Sequence, residues 1–220
     1  MLGDPLRRAG VLLFVGATQF FIFFTISESL YPGYSVSSQP ISDLGATCSS
    51  GVCVIQQPSS AIFDATVFLL GLLVFVGAFF IYISRSRLIG GLAALSAWGV
   101  MGVAIFPETT GVLHVIVSFI AFFFGALAAI SSYRMLRPPL SYLAVVLGIA
   151  SLVALGIYAS GNYFGLGQGG MERLIVYPEL IWLLGFGAHM MGRPVRTDPF
   201  EYSPRGAPSK AEPRVDTGAN

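Results

Sequence analysis

Six carboxylates, one imidazole and one guanidinium carry most of the chemistry this sequence offers. His114 follows Glu108 by six residues in Phe106-Pro-Glu-Thr-Thr-Gly-Val-Leu-His114. A carboxylate beside an imidazole can hold it as a general base, and the pair could also hold a metal ion that activates water. Asp43 is a second carboxylate able to orient His114. The competing reading is a hydrogen-bonded packing histidine near a helix end. Ser27, Ser42 and Ser118 are possible nucleophiles, and no spacing singles one out.

Glu172 and Arg173 follow a glycine-rich stretch, Gly165-Leu-Gly-Gln-Gly-Gly-Met171. Glycines let backbone N–H groups approach an anion, a helix N-terminus is electropositive, and arginine is a bidentate donor. A phosphate or carboxylate headgroup would suit such a pocket. Alternatively, Arg173 pairs with Asp43, Glu108 or Glu172. Asp64 and Glu179 are expected to lie inside helices, where an ionised carboxylate must be paired, protonated or wetted. Glu179 is seven residues beyond Glu172, which puts both on one helix face.

The elements that must position these groups are membrane helices. Hydrophobic residues make up 55% of the 220-residue chain and charged residues 10%, against roughly 45–50% and about 25% in a typical soluble protein. The apolar residues fall into six runs: Gly10–Glu28, Ser60–Ile83, Leu88–Ile105, Val112–Tyr133, Leu140–Ala159 and Leu174–Met191. Each approaches the roughly 20 residues needed to cross a ~30 Å hydrocarbon core as a helix. They lack the period-two alternation of barrel strands. An all-α bundle of six transmembrane helices is therefore predicted over residues 1–192.

Charge orients the bundle. An even number of spans puts both termini on one side, with eleven of the twelve basic residues; Arg173 is alone on the other. Lys and Arg concentrate in cytoplasmic loops, so both termini are expected in the cytoplasm of a cell that carries the protein in its plasma membrane. The outer side then holds Glu28, Asp43, Asp64, Glu108, Glu172 and Glu179. The long loop over residues 29–59 lies there too. Its Cys48 and Cys53 are expected to form a disulfide, which that compartment preserves. Ser59 or Ser60 is expected to cap the second helix, and Thr109 or Thr110 the fourth. From Arg193 the chain turns polar and rich in Pro and Gly, a composition expected to stay disordered.

Three stretches, Ile41-Ser-Asp-Leu-Gly45, Gly102-Val-Ala-Ile-Phe-Pro-Glu108 with His114, and Gly169-Gly-Met-Glu-Arg-Leu-Ile-Val-Tyr-Pro178, resemble the prokaryotic membrane family catalogued as domain of unknown function 998. The likeness runs from about Gly10 to Gly192. It implies a six-helix membrane protein and no particular activity. It marks Asp43, Glu108, His114, Glu172, Arg173 and Tyr177 as motif residues.

Three functions are compatible with these residues. The first is binding or transport of a lipid headgroup or small ion at an outer-leaflet polar cavity, with Asp43, Glu108, His114, Glu172, Arg173 and Tyr177 as ligand residues. The second is a lipid hydrolase or transferase using His114 with Asp43 or Glu108. The third is a structural or assembly subunit packed through Gly90, Gly91, Gly99, Gly102, Gly185 and Gly187. Membrane lipids are the expected partners. Nothing in the sequence favours nucleic acid, and no cofactor, metal or oligomeric state is specified.

Overall fold

The computed structural model describes residues 4–49 and 51–192; the polar segment from Arg193 onward lies outside them. Six helices are long and apolar enough to cross a membrane: α1 (Pro5–Leu30), α2 (Ser59–Ser84), α3 (Arg87–Ile105), α4 (Val112–Ser131), α5 (Leu140–Ala159) and α6 (Gly167–Met191). Each packs on its neighbour in the chain, α6 returns to α1, and α4 also reaches α6. The loop between α1 and α2 carries a 3₁₀ turn (Ser42–Leu44) and a hairpin of β1 (Thr47–Ser49) and β2 (Val52–Val54). Cys48 and Cys53 face each other across that hairpin and are joined by a disulfide. The hairpin is a small addition to a fold that is otherwise all-α.

Local chemistry sets the helix ends. Asp4 caps α1, its carboxylate accepting from the Leu6 N–H at 3.0 Å ahead of Pro5, and Ser86 caps α3 through the Ile89 N–H at 3.3 Å. Both are ordinary N-cap residues. The expected caps of α2 and α4 are different. Pro58 begins α2, and its two serines bond outward instead: Ser59 Oγ donates to the Ser27 carbonyl at 3.0 Å and Ser60 Oγ to the Gly45 carbonyl at 2.7 Å. A longer-range carbonyl has displaced the local cap. Gly111 begins α4 at φ +59° and ψ −114°, with Thr109 and Thr110 left in the preceding 3₁₀ turn. Only glycine adopts that backbone without strain.

Packing rests on small residues. Gly10 of α1 meets Gly187 of α6 so closely that a Cβ on Gly10 would lie 2.6 Å from the Gly187 carbonyl oxygen. Beside this contact, Arg7 Nε donates to the Met191 carbonyl at 3.1 Å, bringing the start of α1 to the end of α6. Gly90, Gly99 and Gly102 likewise abut Tyr82, Ala121 and Val117 of adjoining helices. These glycines serve packing within the chain. Large apolar side chains such as Phe79, Trp98, Tyr142 and Val153 are exposed on the bundle's exterior, as expected where lipid is the solvent.

Candidate functional site

The end of the bundle that carries the long loop holds the polar residues, and α6 organises it. This helix starts at Gly167, about two turns before the expected Leu174, so most of the glycine-rich stretch is helical. The Gly169 and Gly170 N–H groups donate to the Ser37 carbonyl at 2.9 and 3.2 Å. That contact with the loop offsets the poor helix propensity of glycine and occupies two donors once expected to cradle an anion.

Arg173 fastens the same loop. Its Nη1 donates to the carbonyls of Val36 (2.9 Å), Gln39 (3.3 Å) and Gly169 (3.0 Å). Its Nη2 donates to Tyr34 Oη at 3.0 Å and forms an ion pair with Glu28 at the end of α1. The rings of Phe24 and Tyr34 flank the guanidinium at 5.8 and 5.6 Å from their centroids. Arg173 is 5% exposed. Its partner is therefore Glu28, not Asp43, Glu108 or Glu172. A carboxylate at the far end of α1, 145 residues away, gave no local signal in sequence. Burial pushes the Tyr34 phenol above its ordinary range, against the pull of Arg173; it stays a neutral hydroxyl and donates to the Pro40 carbonyl at 2.7 Å.

Consecutive helical residues point about 100° apart, so Glu172 faces away from this clamp. It accepts from the Ile41 N–H, and Ser42 Oγ donates to Glu108 Oε1 at 2.7 Å. The turn Ile41–Leu44 is thus held between a carboxylate of α6 and one from the α3–α4 connection. Asp43 is buried in that turn beside Gln39, Thr47 and Glu108, and its backbone carbonyl accepts from Thr47 Oγ1 at 3.1 Å. Burial, then the neighbouring Glu108 carboxylate, pushes the Asp43 carboxyl up to about 7. Asp43 therefore takes up a proton more readily than a free carboxylate does.

A cavity of about 600 Å³ opens below this turn between α4, α5 and α6. Its polar lining is Ser42, Glu108, His114, Ser118, Tyr158, Gln168 and Glu172, and its apolar lining includes Val115, Phe119, Phe122, Leu155 and Ile175. Val115 and Phe119 are also 65% and 51% exposed on the bundle's exterior, so one wall of the cavity is part of the lipid-facing surface. A smaller cavity of about 90 Å³ continues inward, sharing Ser42, Ser118, Phe122 and Glu172 with the larger one and reaching Glu179.

The motif residues therefore divide into two groups. Glu108, His114 and Glu172 line the larger cavity, with Asp43 directly behind Glu108. Arg173 and Tyr177 face α1, where the Tyr177 ring lies 6.1 Å from that of Phe21. His114 is held neither by Asp43 nor by Glu108. Its Nδ1 is 2.8 Å from the Phe106 carbonyl, which fixes Nδ1 as the donor, and its Nε2 is 3.4 Å from Ser118 Oγ. The i, i+4 spacing of His114 and Ser118 was the signal that would have singled out this serine. Tyr158, whose hydroxyl accepts from Gln168 Nε2 at 3.0 Å, was missed because an aromatic near a helix end reads as interfacial packing. Among the described residues, no group of three or more His, Cys, Asp and Glu side chains is arranged to hold a metal ion.

No curated protein and no solved structure matches the chain. One family model does, described as protein of unknown function (DUF998), and it matches residues 14–189. That span contains all six helices in whole or large part and every residue of the site, so the chain belongs to the DUF998 family of membrane proteins.

Proposed function

We propose that the larger cavity binds the cationic headgroup of a membrane amphiphile, in the outer leaflet of the plasma membrane. The observation that carries this reading is the sign of the lining. Glu108 and Glu172 line the cavity with the Asp43–Glu108 pair at its roof, while the buried arginine is turned away into the loop. An anionic headgroup would meet carboxylates there with no guanidinium to offset them. The volume is within the ~300–1,000 Å³ usual for small-molecule sites. The apolar wall of Val115, Phe119 and Leu155 suits a hydrocarbon chain entering from the lipid side.

In this reading the loop end faces outward and both chain termini are cytoplasmic. Supporting it are the eleven basic residues that the sequence places on the terminal side and the Cys48–Cys53 bridge on the other.

The test is a binding titration of protein in lipid nanodiscs with a fluorescent dodecylammonium probe, against a matched dodecanoate. The ammonium should bind more tightly. Glu108→Gln and Glu172→Gln should each weaken it about tenfold or more, the effect of losing one charge-assisted contact. Gln at 172 can still accept from the Ile41 N–H, so the fold is retained. Protons compete with a cation for the Asp43 carboxyl. Affinity should therefore rise as pH increases through about 7, and Asp43→Asn should flatten that rise. Equal affinity for both probes would overturn the proposal.

A further inference from the structure

Glu179 is a carboxylate that the headgroup site does not use. It lies on α6 two turns inward from Glu172 and on the same face, and it is wrapped by α3, α4 and α5. Its Oε1 accepts from Ser151 Oγ of α5 at 2.7 Å. On the other side is Gly125 of α4, where any Cβ would overlap Glu179 Oε2. The nearby Ser96 hydroxyl donates elsewhere, to the Ala121 carbonyl at 2.7 Å. Among the described residues no basic side chain forms an ion pair with Glu179.

A negative charge at this depth is expensive unless something accompanies it. The smaller cavity supplies the route by which it could arrive. At about 90 Å³ it is large enough to admit water, with Ser42, Ser118, Glu172 and Glu179 as its polar partners. It runs from Glu172 and Ser42, at the floor of the larger cavity, past Ser118 to Glu179. The titratable groups facing this path are few. Glu172 alone joins Glu179 on the smaller cavity, and Glu108, His114 and Tyr158 stand further out on the larger one. The faces of α1, α2 and α3 toward it are apolar: Phe20, Phe63, Val67 and Val100 among them. A metal cation needs several oxygen ligands gathered at one point, and among the described residues no three His, Cys, Asp or Glu side chains are so gathered. A proton needs one carboxylate and a file of water.

We propose that Glu179 is a proton-exchange site inside the bundle, reached from the loop end through Glu172 and connected to no basic residue. The proposal stands on the smaller cavity and does not depend on what fills the larger one.

The experiment uses the full chain in nanodiscs and dicyclohexylcarbodiimide, an apolar reagent that adds to a carboxyl only in its protonated form. Peptide mapping by mass spectrometry should find the adduct on Glu179, formed more slowly as pH rises, and absent in Glu179→Gln. In parallel, infrared spectroscopy in D₂O should follow deuterium into the Glu179 carboxyl, identified by its loss in Glu179→Gln. That exchange should be several-fold slower in Glu172→Gln, where the relay is neutral but the Ile41 contact persists. Labelling that is absent at every pH, or independent of pH, would overturn the proposal, as would deuterium exchange unchanged by Glu172→Gln. None of these readouts involves the alkylammonium probe, so they separate this inference from the binding reading.

Discussion

Replacing Arg173 with alanine should lower the stability of the folded protein by about 3–5 kcal/mol, the cost of breaking a buried pair by removing one partner. The substitution strands the Glu28 carboxylate and takes a charged donor from the carbonyls of Val36 and Gln39. It also frees Tyr34, whose hydroxyl bridges Arg173 and the Pro40 carbonyl. The segment from Tyr31 to Gln39 would then lose its anchor to α6. Arg173→Lys should recover only part of the loss, since an ammonium cannot reach that many acceptors in fork geometry. Thermal unfolding in detergent, read by intrinsic fluorescence, checks both variants without any ligand. A ligand-binding arginine exposed in the cavity would leave unliganded stability near that of the native chain.

The second large effect is expected at Gly10. A Cβ there would lie 2.6 Å from the Gly187 carbonyl oxygen and 2.8 Å from the Met191 nitrogen. Both are backbone atoms and cannot swing aside, so α1 and α6 must separate. Gly10→Ala should cost about 1–3 kcal/mol, the usual penalty for overpacking, and should break the bond from Arg7 to the Met191 carbonyl. Gly91→Ala is the internal control. An added methyl there meets nothing within 4 Å, and alanine is the better helix former by about 1 kcal/mol. That variant should be at least as stable as the native chain. Comparing the two by thermal unfolding separates helix propensity from the closure of the bundle.

Much of this architecture was legible in the residue pattern, because a bilayer imposes a simple rule. Runs of about twenty apolar residues are a direct consequence of helix rise and membrane thickness, and all six were present. The bridge was expected from the compartment assigned to the cysteines' loop, and the two are joined. What escaped was set by contacts distant along the chain. Gly167–Arg173 precedes the apolar run that begins at Leu174 and is rich in glycine, yet most of it is helix, with Ser37 accepting two of its N–H groups. Ser59 and Ser60 read as caps, yet their hydroxyls meet Ser27 and Gly45.

The site was half legible for the same reason. Glu108, His114 and Glu172, grouped in the sequence as motif residues, line one cavity. Arg173 was grouped with them because it adjoins Glu172, and neighbours on a helix face different directions. The consequence is chemical: a pocket expected to offer an arginine to an anion is lined by carboxylates instead. Ser118 is the reverse case. It was one of three undistinguished serines until its place one turn beyond His114 put their side chains together.

The most direct test of the central claim is where an amphiphile makes contact. A diazirine-bearing alkylammonium, photoactivated on the nanodisc-embedded protein and mapped by mass spectrometry, should mark α4 and α5 at Val115, Phe119, Phe122 or Leu155. Those marks should fall in Glu172→Gln. Label spread evenly over the exposed apolar faces, as on Phe79 and Trp98, with no excess at the cavity, would contradict the account.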